Sequence, residues 1–110
     1  MKILNTELQN LDFMEADVME KFEDLQEEYN DKLNNPPEFK KNSEVIRYYC
    51  ELVFDLFNGL FGADTDKKIF GKSTNLAKCT KAVDELFQYI EASNKAQEKE
   101  FNKIGNRFSR

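Results

Sequence analysis

The chain has 110 residues, 40% of them hydrophobic and 34% charged, with fourteen aromatics but neither tryptophan nor histidine. That size is one domain with one core, burying roughly two-thirds of the surface its unfolded chain exposes; a mean hydropathy of −0.72 keeps that core small and aromatic-rich. A net charge of −5 and a pI near 4.8 argue against nucleic acid as a partner, because phosphate binding needs a surplus of Lys and Arg on one face. No 18-residue apolar run is present, and Met1 to Glu7 lacks the apolar stretch of a signal peptide, so neither a membrane nor export is expected and the cytosol is the expected compartment.

Ile3-Leu4 and Leu8 flank Asn5-Thr6-Glu7, a pattern that predicts a small hairpin in which Asn5 accepts positive φ. From Glu15 the apolar residues Val18, Phe22, Leu25, Tyr29 and Leu33 recur at steps of three and four, with Glu20, Glu23, Asp24, Glu27 and Glu28 on the outer face. That spacing predicts a helix over 15–34, stopped by Asn34-Asn35-Pro36-Pro37 because proline lacks the donor and disfavours helical geometry before it. Ser43 is the expected N-cap of a second helix over 44–61, with Ile46, Tyr49, Cys50, Val53, Phe57 and Leu60 at helical period.

Residues 53–71 hold four of the ten phenylalanines and three of the four glycines. Gly62 and Gly71 can each take the left-handed conformation that ends a helix, so the stretch reads as a helix, a tight aromatic turn and a short helix capped by Asp64-Thr65-Asp66. Ser73 or Asn75 then caps a last helix with Leu76, Cys79, Val83, Leu86 and Ile90 on one stripe. Between Glu91 and Glu100 the stripe is lost, and Phe101, Ile104 and Phe108 resume it, as in a helix projecting beyond the core from residue 91. The expected fold is therefore mainly α: three to four helices, a short N-terminal hairpin and a projecting C-terminal helix. Cys50 and Cys79 fall on apolar stripes and read as reduced core thiols.

Charge is uneven along the chain. Residues 1–35 carry three lysines against ten acids (−7), 36–70 five bases against six acids (−1), and 71–110 eight bases against five acids (+3). Such ends can pair within one chain or head to tail between copies, so a homo-oligomer stays open.

Chemistry is harder to find. Gly71-Lys72-Ser73 imitates the end of a phosphate loop, but Asp66 stands where the first glycine belongs and no buried strand precedes it. Asp64 and Asp66 have the first spacing of a calcium loop, yet Lys68 takes the third ligand position and Ile69 the glycine position. Without histidine the commonest general base and the Ser/His and Cys/His pairs are missing, and the paired carboxylates lie opposite the apolar stripe of their helix. Neither an enzyme, a metal nor a cofactor is expected. What is in surplus is aromatic side chain: Tyr48, Phe54 and Phe61 point to one side of the second helix, Tyr49, Val53, Phe57 and Leu60 to another, more than one face can hide.

Three segments resemble small prophage proteins of Gram-positive bacteria that act as tail-assembly chaperones of long-tailed phages. They are Leu11-Asp12-Phe13-Met14-Glu15-Ala16-Asp17 with its continuation through Glu23, Phe57-Asn58-Gly59-Leu60-Phe61-Gly62-Ala63-Asp64-Thr65 with Lys68-Ile69-Phe70-Gly71, and Asn106-Arg107-Phe108-Ser109-Arg110. The resemblance implies a non-enzymatic protein that coats the apolar helices of a tape-measure protein and recruits tail-tube subunits. On it, Phe54, Phe57, Leu60, Phe61 and Phe70 would form or border the client surface, and residues 91–110 would recruit a second partner. The alternative is a small acidic phage-encoded inhibitor or regulator that uses the −7 segment against a basic site, a mode that salt would weaken steeply.

Overall fold

The computed structural model describes residues 1–108; Ser109 and Arg110, the end of the third segment that carries the resemblance, lie outside the described residues. The fold is mainly α, with four helices behind a short antiparallel hairpin of β1 (Lys2–Ile3) and β2 (Thr6–Glu7). Lys2 pairs with Glu7 and Ile3 with Thr6 across a two-residue turn in which Leu4 (φ 48°) and Asn5 (φ 64°) both have positive φ. That geometry matches the twist of a hairpin, but it suits asparagine and strains leucine. So short a hairpin needs outside support. It comes from the last helix: the Leu4 N–H donates to Glu85 Oε2 at 2.8 Å, the Lys2 N–H donates to the Tyr89 hydroxyl at 3.1 Å, and Ile3 is fully buried.

Helix α1 (Ala16–Asn34) covers the expected span and packs antiparallel on α2 (Asn42–Phe61). Of its apolar stripe only Phe22 is buried, while Val18, Leu25, Tyr29 and Leu33 are half-buried and its acidic residues are exposed. The two helices approach closely at Gly59, where an added Cβ would sit 2.6 Å from Leu25 Cδ2. Helix α2 begins two residues earlier than expected, and Ser43 is not its cap. The Lys41 carbonyl accepts from the Glu44 N–H at 3.1 Å, and the Glu44 carboxylate reaches back to the Lys40 N–H, also at 3.1 Å, so the first turn closes ahead of Ser43.

Helix α2 buries Cys50, Leu52, Val53, Leu56, Phe57 and Leu60, an arc too wide for a helix with one packed side. It is the central helix. Helix α3 (Thr65–Phe70) folds back along it, setting Phe70 against Phe54 (ring centroids 5.1 Å apart) and Phe57 (6.2 Å). The glycines that permit this reversal have positive φ, 116° at Gly62 and 62° at Gly71. Their ψ values of 162° and −125° place them outside the left-handed helical region that the sequence suggested. The cap also differs: Asp64 itself takes the left-handed conformation, with no side-chain cap, and Asn58 Oδ1 accepts from the Asp66 N–H at 2.9 Å instead. Thr65, buried, donates its hydroxyl to the Gly62 carbonyl at 2.6 Å.

Because α3 returns the chain, α4 (Leu76–Phe108) starts beside Tyr49 and Val53 and runs parallel to α2 and antiparallel to α1. Asn75 is the cap, its Oδ1 accepting from the Lys78 N–H at 3.0 Å. Cys79, Ala82, Leu86 and Ile90 enter the core with Phe57 and Leu60, and Phe87 meets Phe22 edge to face at 5.8 Å. At about 1.5 Å per residue α4 is roughly 50 Å long, which explains the 63 Å long axis of the molecule. Ser93, Ala96 and Gln97 are still half-buried, so the projection begins at Glu98 instead of residue 91; from there to Arg107 every side chain is exposed.

Candidate partner-binding surface

The five residues singled out on and after α2 divide into two groups. Phe57, Leu60 and Phe70 are 0%, 4% and 6% exposed and belong to the core, so of the five only Phe54 and Phe61, which are half-buried, reach the surface. The physical reason is α3, which lays Phe70 over Phe57 and seals that side of α2. Phe54 and Phe61 are seven residues apart and share a face of α2. Phe61 also stacks on Phe57, with centroids 6.1 Å apart and rings 17° from parallel, which fixes its orientation. Tyr48, expected on that side, stands six residues before Phe54 and so about 120° away around α2; it is half-buried toward α1, where its hydroxyl donates to the Lys32 carbonyl at 2.9 Å.

Phe54 borders an open cleft of about 600 Å³ at the corner where α3 passes into α4, with Asp66, Lys67, Lys72 and Thr74 on its walls. Lys67 pairs with Asp64 at 3.2 Å, an exposed pair that contributes little to stability. The corner thus offers an aromatic floor and a rim of mixed charge, suited to an apolar side chain flanked by polar ones.

A second groove, of about 250 Å³, runs between the end of α1, α2 and the start of α4, lined by Tyr29, Tyr49, Val53, Leu76, Cys79 and Val83. The sequence offered one signal for it. Leu76 opens the α4 stripe one turn before the body closes around it, and it is 42% exposed. Cys50 and Cys79 are free and fully buried. Burial first, and then a hydrogen bond with Cys50, pushes the Cys79 thiol up from 9.0 to about 12, and burial also raises Tyr29. A thiol so held is protonated and a poor nucleophile. Phe39, which the helical pattern did not reach, joins Tyr48 (5.4 Å) and Tyr49 (6.5 Å) and fastens the 35–41 connection onto α2.

Among the described residues no three His, Cys, Asp or Glu side chains are placed to hold a metal ion, and no helix is long and apolar enough to cross a membrane. The α2 side of the surface carries the edges of Phe54 and Phe61, the cleft at the α3–α4 corner and the groove at the start of α4. The chain belongs to a family of unknown function, DUF6673, whose sequence model matches residues 4–110. No curated protein and no solved structure matches it.

Proposed function

We propose that this protein is a non-enzymatic chaperone of the phage tail-assembly type, acting in the bacterial host cytosol. It covers apolar helices of a tape-measure protein and brings tail-tube subunits to them. The observation that carries the reading is the pair Phe54 and Phe61, left half-buried on one face of the central helix although that helix already fills the core. Aromatic edges beside a cleft suit an amphipathic client helix, which anchors its apolar residues at steps of three and four. The exposed acids of α1 lie on the outside of the body, where like charge keeps loaded complexes apart.

The test is co-purification with the tape-measure protein encoded nearest to its gene, read as a soluble complex on a sizing column. The complex is expected to survive half-molar salt, since apolar contact is nearly insensitive to screening. The double variant Phe54→Asp/Phe61→Asp is expected to lose the client while keeping its helical circular dichroism. An insoluble client with this protein alone in the supernatant overturns the reading and favours the acidic α1 face as an inhibitor surface.

A further inference from the structure

We infer that the free end of α4 docks antiparallel against the same segment of a second copy of this chain. The segment begins at Glu98, where the body ends, and holds the two most exposed large apolar side chains among the described residues, Phe101 at 60% and Ile104 at 57%. Three residues apart, they share one face of the helix. A stretch of some ten residues is a marginal helix on its own, and an uncovered apolar face on it is the ordinary mark of a contact not yet made.

The charges say what covers it. Glu98 and Glu100, with Lys99 between them, give the three residues before the apolar pair a net charge of −1, and Lys103, within the pair, and Arg107, after it, give residues 103–107 a net charge of +2. An antiparallel copy sets the acidic end of each segment against the basic end of the other, whereas a parallel copy sets like charge on like. With a two-fold axis between positions 102 and 103, Phe101 lies over Ile104 of the second copy and the reverse contact repeats it, the self-complementarity an isologous interface requires. Glu100 and Arg107 then flank the seam as charged neighbours flank an antiparallel coiled coil.

The length fits as well. Residues 98–108 extend about 16 Å, so the tip of each segment reaches the level of Gln97 in the other copy, where its body begins. Two three-turn segments bury less than the roughly 1,600 Å² of a standard interface, so the association is weak and depends on concentration. It requires nothing of the Phe54–Phe61 face, but it gives to a second copy of this chain the segment that the resemblance gives to a second partner.

Sedimentation equilibrium of the full chain over rising concentrations tests it. A monomer–dimer equilibrium without larger species is expected, because an isologous contact closes. Phe101→Asp, outside the core, is expected to keep the helical circular dichroism and sediment as a monomer throughout. Arg107→Glu and Glu100→Arg are each expected to weaken association about tenfold, and the double swap to restore it to within about threefold, as a double-mutant cycle of facing charges requires. The exposed Glu100–Lys103 pair within one helix would change additively and could not produce that recovery. A monomer at every concentration, an open-ended series of larger species, or a dimer indifferent to Phe101→Asp overturns the inference. Failure of the swap to recover overturns the antiparallel register.

Discussion

Over residues 76–90, helix α4 holds Cys79, Ala82 and Leu86 at 0% exposure and Ile90 at 4%, whereas over residues 98–107 the same helical spacing leaves Phe101 and Ile104 more than half exposed. Nothing in the spacing separates the two stretches. What separates them is the rest of the chain: α1, α2 and the hairpin all lie against the first, and none extends along the second. Periodicity specifies a face, and the fold specifies whether anything covers it.

The largest expected effect is at the covered end. Phe57 is fully buried and touches both Phe61 and Phe70, so Phe57→Ala should cost about 3–5 kcal/mol by lost transfer energy and residual cavity. Against a total stability of roughly 5–15 kcal/mol, that brings the chain near unfolding in urea. A loss under about 1 kcal/mol would mean that the core can refill the site and is far looser than its burial implies.

The second effect sharpens the comparison by pH. The Cys79 thiol is held protonated by the fold up to about 12, from an ordinary 9.0. Between those values the unfolded chain has released a proton that the folded chain still binds, so stability falls as pH rises through this window and is complete below it. Cys79→Ala should flatten that part of the stability profile, though it lowers the plateau by a cavity term. Neither thiol should react with an alkylating agent except through opening of the body. Rapid native labelling would show that the covered half of α4 is not closed.

The hairpin, the span of α1, the end of α2 and the existence of four helices were legible in the sequence, because each rests on local signals: Asn5 at a positive φ, paired prolines after Asn35, glycine after Phe61. Leu4 at positive φ was not, since its strain is offset by Glu85, far away in sequence. Nor was the return of the chain along α3, which makes α4 parallel to α2 and turns Phe57, Leu60 and Phe70 from candidate surface into core. Four phenylalanines in nineteen residues announced a tight aromatic corner. They could not say which rings face inward, because that depends on the direction in which Gly62 and Asp64 send the chain.

A smaller effect tests that corner. Asn58 satisfies the Asp66 N–H at the start of α3 at 2.9 Å, the part a capping side chain plays from within the same segment in other helices. Asn58→Ala should cost about 1 kcal/mol, the usual value of a lost cap, seen as a shift in the urea midpoint with the slope unchanged. Asp64→Gly, which keeps the φ of 68° free of strain, should cost less, because the Asp64 side chain makes only an exposed pair with Lys67. If Asp64 proved the more costly, the cap assignment would be reversed.

The smallest effect on stability is expected at the bare end of α4, and it is the one that makes the comparison quantitative. At 60% exposure Phe101 has little apolar area withdrawn from water within one chain. Phe101→Ala, measured at a concentration where the protein is monomeric, should therefore change stability by no more than about 0.5 kcal/mol, the range of ordinary surface substitutions. Phenylalanine at Phe57 and phenylalanine at Phe101 would then differ nearly tenfold in their contribution to the fold. Repeating the pair of measurements at high concentration separates the two sites again. The cost of Phe57→Ala should change little, whereas the cost of Phe101→Ala should grow with concentration, since a ligand that binds only the folded state stabilises it by mass action and here the ligand is the chain itself. A Phe101→Ala cost that is large at low concentration would mean that this ring already packs within the monomer, and the contrast between the two halves of α4 would collapse.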